Sequence, residues 1–262
     1  MKTLNTLLGA VSAGATLISA AGAQSAGAAL HDFYTKKTYV KAGGLLVSTN
    51  SRDLELVNSP TPNANNQFGF FDNFFDLSSS FGFTAGVGRI LGAAGPGLIR
   101  VEAELQRYTR EGDAPRGDIL VEETQTAFLG NVAYDIPFQT PTYWCDFLWC
   151  YAGEPAHFRA TAGFGAGIAI TDFETGVDRI FVDPVGPTTG ETSNTAATYQ
   201  FSLGLIRDFT SSVSFGVFYK YRDTLGMQEL EVNNILLSDE TVLYEFDATD
   251  TNSVEFSVAI AF

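Results

Sequence analysis

The feature that most constrains this chain is an alternation of bulky apolar residues with small or polar ones. The last ten residues, SVEFSVAIAF, show it clearly, because Val254, Phe256, Val258, Ile260 and Phe262 alternate with serine, glutamate and alanine. A period of two is typical of a β-strand with one apolar face and one polar or small face. An apolar strand with a free edge is prone to aggregate, so we expect this strand to be paired and its apolar face to be covered.

The same alternation recurs in seven other places. Each segment is about as long as the 9–11 residues that a tilted strand needs to cross a bilayer. The segment LIRVEAELQRY (98–108) is the most informative, because one of its faces is wholly apolar and the other is charged or polar. The eight predicted strands cover residues 38–48, 80–90, 98–108, 124–136, 158–170, 198–209, 212–222 and 253–262.

Composition indicates which face points outward. Charged residues make up 17% of the chain and aromatic residues 13%, whereas soluble domains carry about 25% charged residues. An eight-stranded barrel has little interior room, and the segment 212–222 alone would place Phe215, Tyr219 and Tyr221 inside it. We therefore predict the inverted arrangement, with aromatic side chains facing lipid and charges in the lumen. The predicted lumen charges are Glu102, Glu104, Arg159, Lys220, Arg222 and Glu255, and the predicted interfacial tyrosines are Tyr39, Tyr108, Tyr134, Tyr199 and Tyr221.

The connections between the segments alternate in length. Long links fall at about 49–79, 109–123, 171–197 and 223–250, and short ones at 91–97 and near Thr210 and Ser211. This alternation is typical of outer loops and periplasmic turns. The link 137–157 is the exception, since it is long and carries both tryptophans and both cysteines. In an oxidising compartment Cys145 and Cys150 predict a local disulfide, with two free, packed thiols as the alternative.

The first 23 residues have the composition of a secretory signal peptide. Lys2 provides a positive start, an apolar stretch follows, and Ala21, Gly22 and Ala23 form a small-residue cleavage site. We expect residues 1–23 to be removed and residues 24–262 to form one barrel domain. The alternative is an N-terminal helix that is retained.

With its export signal, eight alternating segments and aromatic terminal strand, the chain resembles the small eight-stranded outer-membrane β-barrels of Gram-negative bacteria. This group includes the OmpA-like transmembrane domain and the opacity and surface-antigen proteins. The resemblance implies an all-β, antiparallel, up-and-down transmembrane barrel in the cell outer membrane, in contact with its lipid and lipopolysaccharide. It also implies that Phe256, Val258, Ile260 and Phe262 form the signal read by the barrel-assembly machinery. No peptidoglycan-binding domain is expected after the barrel.

The sequence does not predict an enzyme, a cofactor or a metal centre. Its two histidines, His31 and His157, fall at the predicted periplasmic side, so a serine nucleophile near the outer end would lack its base. The glycine-rich stretches 86–92 and 163–167 lie inside predicted strands, where no helix follows to bind phosphate. Two thiols alone are too few for a metal site. A net charge of −15 argues against nucleic acid as a partner.

Two classes of function stay open at this stage. The first is a structural or surface-exposed role of the adhesin or antigen type, and the second is a narrow porin-like channel for ions or small solutes. Opposite charges in so narrow a lumen favour an ion-pair network that plugs it. The acidic outer loops, which include Glu123, predict either a solvated surface or divalent-cation bridges to lipopolysaccharide phosphates. The stretch GFFDNFFDL (69–77) predicts an insertion into the membrane interface or a docking patch for a host or envelope partner.

Overall fold

The computed structural model describes residues 38–49, 52–58, 71–77, 79–113, 120–139, 157–176, 190–210, 212–226, 228–234, 240–246 and 250–262. The predicted signal peptide, His31 and the two cysteines lie outside these ranges. The described part of the chain contains no helix that is long and apolar enough to cross a membrane. Its strands are β1 (Thr38–Thr49), β2 (Arg52–Asn58), β3 (Phe71–Leu77), β4 (Ser80–Ala94), β5 (Gly97–Asp113), β6 (Leu120–Gln139), β7 (His157–Gly176), β8 (Gly190–Asp208), β9 (Val213–Thr224), β10 (Gln228–Asn234), β11 (Glu240–Phe246) and β12 (Asp250–Ala261).

Eight of these strands close into an antiparallel barrel in the order β1, β4, β5, β6, β7, β8, β9, β12 and back to β1. The terminal strand closes the ring, since β12 pairs with β1 from Tyr39 opposite Ala261 to Thr49 opposite Thr251. The backbone N–H of Phe262 continues this ladder by donating to the carbonyl of Thr38 at 2.9 Å. The predicted all-β, up-and-down, eight-stranded barrel is therefore confirmed, and the terminal edge is paired as expected.

Two tight connections define one end of the barrel, called here the tight-turn end. Between β4 and β5 the loop is Gly95-Pro96, and Gly95 has a φ of 58°, as the first position of a type II′ hairpin turn requires. Between β8 and β9 the hydroxyl of Thr210 accepts hydrogen bonds from the backbone N–H groups of Ser212 and Val213. These local bonds satisfy backbone groups that leave the ladder.

The opposite end, called here the long-strand end, differs from the prediction. The links 49–79, 109–123, 171–197 and 223–250 were expected to be loops, but strands occupy much of each. Strands β5 to β8 run for 17 to 20 residues, and the short strands β2, β3, β10 and β11 pair in series, with β3 joined to β5. Each short strand has only seven residues, fewer than a membrane crossing needs. The sequence analysis selected segments long enough to cross a membrane, and it therefore did not predict these four short strands.

Candidate functional site

The outward face of the barrel is an apolar belt. On the described strands the outward positions carry no charge between two boundaries, which are Arg89 and Arg207 at the tight-turn end and Arg107, Asp172, Asp223 and Asp250 at the other. On β9 the belt covers roughly ten residues, or roughly 33 Å of strand, which a tilt of about 40° reduces to the roughly 25 Å of a membrane barrel's apolar band. Large apolar side chains exposed on it include Phe81, Phe83, Phe128, Phe164, Phe201, Phe256, Val258 and Ile260.

The inward face carries charges that balance one another. The structure places all six predicted lumen charges on it, and six further charges that were not among the predicted lumen charges. Each further residue lies on the face of its strand opposite the alternating apolar residues, which is the signal that could have found it. Described cations in the lumen are Lys41, Arg100, Arg110, Arg159, Lys220 and Arg222, and the described carboxylates are Glu102, Glu104, Glu123, Asp135, Asp208 and Glu255.

The layer nearest the tight-turn end is built on two arginines. Arg159 donates hydrogen bonds to Asp208 from Nε and Nη2, at 3.0 and 2.9 Å, and its Nη1 donates to Asp135 at 3.0 Å. Arg100 shares Asp135, to which its Nε donates at 3.0 Å, and it reaches Glu102 through Nη1 at 3.0 Å. Paired hydrogen bonds between a guanidinium group and a carboxylate are strong, and they also fix the relative orientation of the two side chains.

The middle layer is a cluster of two lysines and three glutamates. Lys41 Nζ lies 2.5 Å from Glu102, 2.9 Å from Glu104 and 3.2 Å from Glu255. Lys220 lies 2.5 Å from Glu104 and also pairs with Glu255. The Glu255 side chain, which comes from the closing strand, is fully buried. The last strand of the chain thus carries a carboxylate that joins two lysines on neighbouring strands.

The third layer consists mainly of neutral side chains. Gln106 donates to Glu104 below it and to Gln200 at 2.9 Å. Arg222 donates to Gln106 at 3.0 Å, to the hydroxyl of Tyr108 at 2.7 Å and to Gln125. Arg222 therefore reaches the carboxylates of the middle layer only through an amide.

The layer at the long-strand end is one arginine–glutamate pair. Arg110 Nη2 donates to Glu123 at 2.5 Å, and both side chains are fully buried. The expectation that Glu123 lies in a solvated outer loop is wrong. The residue belongs to β6, where it faces inward opposite Arg110.

Three aromatic residues in the lumen were missed or misplaced by the sequence analysis. The placement of Tyr39 and Tyr108 in interfacial girdles is wrong, because both lie inside, where Tyr39 donates to Glu102 and Tyr108 to Gln125, each at 2.6 Å. Their parity explains this, since Tyr39 shares a face with Lys41 and Tyr108 with Gln106. Phe218 also points inward, with its ring 5.6 Å from Lys41 Nζ.

The arrangement leaves little open space for a solute. A cavity of about 40 Å³ lies towards the tight-turn end, lined by Tyr39, Lys41, Arg100, Arg159 and Phe218 among others, and it has room for a few water molecules. Within the described ranges no group of three or more histidine, cysteine, aspartate or glutamate side chains is arranged to hold a metal ion. The lumen side chains therefore mainly bind one another, and they fix the eight strands around a filled interior.

No protein-family model matches this chain, and no curated protein matches it. Solved structures do. The outer membrane protease OmpT from Escherichia coli matches at 8% identity with a TM-score of 0.50, over 86% of this chain and 97% of that one. OprG, an outer membrane protein from Pseudomonas aeruginosa, matches at 12% identity and 0.48, over 87% and 96%. Neisserial surface protein A matches at 11% identity and 0.41, over 86% and 97%.

These identities are too low to carry activity from one chain to another, and the comparisons therefore bear on the fold alone. The fold is that of the bacterial outer-membrane β-barrels, as the resemblance in the sequence implied.

Proposed function

We propose that this protein is an integral outer-membrane barrel with a structural or surface-exposed role of the adhesin or antigen type. The observation that carries the proposal is the inversion of the barrel, with an apolar belt outside and a lumen closed by paired charges inside. In water the belt would expose a contiguous aromatic surface, whereas in lipid it is the covered face. A lumen so filled supports a role that depends on the outer surface of the barrel and on its long-strand end.

The proposal includes a direction in the membrane. The tight-turn end lies in the periplasm and the long-strand end lies outside the cell, as the alternation of turn lengths supports. Cleavage after Ala23, delivery through the terminal Phe262 strand and contact with lipopolysaccharide all belong to this proposal. The disulfide between Cys145 and Cys150 belongs to it too, and would join two positions of the long periplasmic link.

The second candidate is a narrow channel for ions or small solutes. It is favoured by the polar lumen and by the cavity beside Lys41, which would supply part of a path. The middle layer opposes it, because Lys41, Lys220, Glu104 and Glu255 cross the lumen in direct contact. A solute would have to separate these buried pairs, which costs several kcal/mol for each charge left unpaired.

We further propose that the barrel is not an enzyme. OmpT is named a protease, so the shared fold itself permits catalysis. In this chain, however, the lumen carboxylates are engaged in ion pairs, and His157 begins β7 at the tight-turn end. Lipid A mass spectra that stay unchanged on overexpression, together with intact peptide substrates, would support the proposal, and a modified product would contradict it.

The first experiment compares the electrophoretic mobility of the outer-membrane fraction before and after boiling. A small barrel resists SDS until it is heated, because its backbone hydrogen bonds are satisfied internally. A heat-dependent shift in that fraction is the expected result. A soluble periplasmic protein without a mobility shift would overturn the prediction that the aromatic side chains face lipid.

Conductance measurements in a planar lipid bilayer then distinguish a lumen closed by ion pairs from a conducting channel. We expect no stable single-channel steps from the wild-type protein, and steps from a variant in which Glu104→Gln and Lys220→Met remove one pair from the middle layer. The exposed substitution Glu174→Gln is the matched control and should leave the bilayer silent. Stable wild-type steps that the lumen substitutions alter would replace the first candidate with the second.

A further inference from the structure

The two edges of the apolar belt differ in the sign of their charge. At the tight-turn edge the described outward charged side chains are Arg89 and Arg207, with no carboxylate among them. At the long-strand edge, and just beyond it, the described outward side chains are mostly carboxylates. They are Arg107, Asp172, Asp223, Asp250, Glu111, Glu122 and Glu174. The tight-turn edge is therefore cationic, on a protein whose net charge is −15.

Both arginines lie within the apolar surface rather than beyond it. Leu91, which is 57% exposed, follows Arg89 on the outward face of β4, and Phe209, which is 52% exposed, follows Arg207 just past the end of β8. Two residues of a strand span about 6.6 Å, or roughly 5 Å of depth at a tilt of about 40°. This is about the thickness of the head-group zone on one side of a bilayer. With Leu91 and Phe209 immersed, the two guanidinium groups lie beside lipid phosphates.

The surroundings of the two arginines suit an anionic head group. No described residue forms a hydrogen bond or an ion pair with the exposed Arg89 side chain. The Cζ atom of Arg207 lies 4.5 Å from the centre of the Phe209 ring and 6.0 Å from that of Phe158. Aromatic rings hold a guanidinium group by cation–π attraction, and its N–H donors lie in its own plane, in the fork geometry that phosphate oxygens match.

The two arginines lie on opposite sides of the barrel. Strands β4 and β8 are four places apart in the closed ring of eight, so one lipid cannot contact both. Each arginine therefore forms a site of its own, in which a cation lies next to an exposed apolar side chain. A phospholipid, with its charged head group and apolar acyl chains, has the matching arrangement.

We propose that Arg89 and Arg207 each bind the head group of a net-negative phospholipid, such as phosphatidylglycerol, in the leaflet at the tight-turn end. This inference rests on the proposed membrane placement of the belt. A net-negative lipid is favoured over a zwitterionic one because no described outward carboxylate at this edge offsets the attraction. One arginine near an anionic lipid surface provides a preference of roughly fivefold.

Quenching of tryptophan fluorescence by brominated lipids tests each site locally. In the full-length protein, Trp144→Phe and Trp149→Phe remove the native tryptophans, and Leu91→Trp or Phe209→Trp then places one reporter beside one arginine. The protein is folded into phosphatidylcholine vesicles that contain a minor fraction of phosphatidylglycerol, with bromine on the acyl chains of one lipid or of the other. The ratio of the two quenching efficiencies, corrected for bulk composition, measures local enrichment. We expect phosphatidylglycerol to be enriched roughly fivefold at both reporters.

Substitution of each arginine assigns the enrichment to its site. Arg89→Gln should remove it at the Leu91→Trp reporter and leave it at the Phe209→Trp reporter, and Arg207→Gln should do the reverse, because the two sites are on opposite sides. The matched control is a Phe81→Trp reporter at the long-strand edge, where the native side chain is 71% exposed. This reporter should show no enrichment.

The possible results separate this inference from the proposed function. Equal quenching by the two brominated lipids, the same enrichment at the Phe81→Trp reporter, or an enrichment that survives both arginine substitutions would overturn the lipid sites. In each of these cases the quenching itself would still place the belt in the membrane. If neither brominated lipid quenched any reporter, the membrane placement would be wrong, and this inference would be wrong with it.

Discussion

At the scale of single residues, aromatic side chains and glycines fit together inside the barrel. The ring of Tyr39 lies over Gly88, and the ring of Phe218 over Gly204 and Gly216, so closely that a Cβ atom at any of these glycines would overlap it. Glycine is needed here for the close approach of the neighbouring ring. The aromatic rings in turn cover backbone that would otherwise be bare, which is a known means of securing glycine in a strand.

The substitution Gly88→Ala tests this fit. We expect it to displace Tyr39, to weaken its bonds to Glu102 and Arg100, and to lower the free energy of unfolding by about 1–3 kcal/mol, as overpacking generally does. The measurement is guanidinium-induced unfolding of the protein in lipid vesicles. Gly130→Ala is the control, because its Cβ would approach only the carbonyl of Ala166, at 3.8 Å. If both variants were equally stable, the ring over Gly88 would not be a structural constraint.

At the scale of strands, the parity of the alternation predicted most of what the structure contains. All eight barrel strands were predicted, and Glu102 and Glu255 were correctly placed on the inward face of the barrel. The prediction was wrong for Tyr39 and Tyr108, which were assigned to the membrane interface because they are tyrosines, although their strand parity places them in the lumen. The pairing of Lys41 with Glu102, Glu104 and Glu255 could not be predicted, because it depends on the stagger between strands that are far apart in sequence.

A row of like charges crosses the extended strands at the long-strand end. Glu111 is in register with Glu122, Glu122 with Glu174, and Glu174 with Glu191. The side chains of the first three are exposed on the outward face. Because carboxylates in hydrocarbon are costly, this row lies beyond the membrane. Strands β5 to β8 therefore project past the bilayer as a sheet with an acidic outer surface.

Like charges directly opposite one another destabilise a sheet, so replacing one should stabilise it. We expect Glu122→Lys, which faces Glu111 and Glu174, to raise the free energy of unfolding by roughly 0.2–1 kcal/mol per neighbouring pair at low salt. Glu122→Gln should give about half of that effect. The gain should shrink at 1 M salt, where exposed charges are screened within about 3 Å. A gain that did not change with salt would point to a cause other than charge.

At the scale of the whole molecule, the placement of apolar and charged residues is the reverse of that in a water-soluble barrel. Water-soluble proteins bury apolar groups and hydrate their charges, whereas here the charges are buried with one another and the apolar belt faces outward. The stability of such a molecule depends on the lipid as much as on the lumen, since the belt has no other cover. The cost of placing a charge on the outer face should therefore depend on its depth.

Phe128 and Thr124 lie four residues apart on the outward face of β6, the first in the belt and the second towards its edge. We expect Phe128→Arg to cost about 2–4 kcal/mol in lipid vesicles and Thr124→Arg about 0–1 kcal/mol, as found for arginine at the midplane and near the interface of a membrane barrel. Reversible unfolding in vesicles measures both. Equal costs at the two positions would mean that the belt is not immersed. A Phe128→Arg variant that became more soluble without loss of stability would place this face in water.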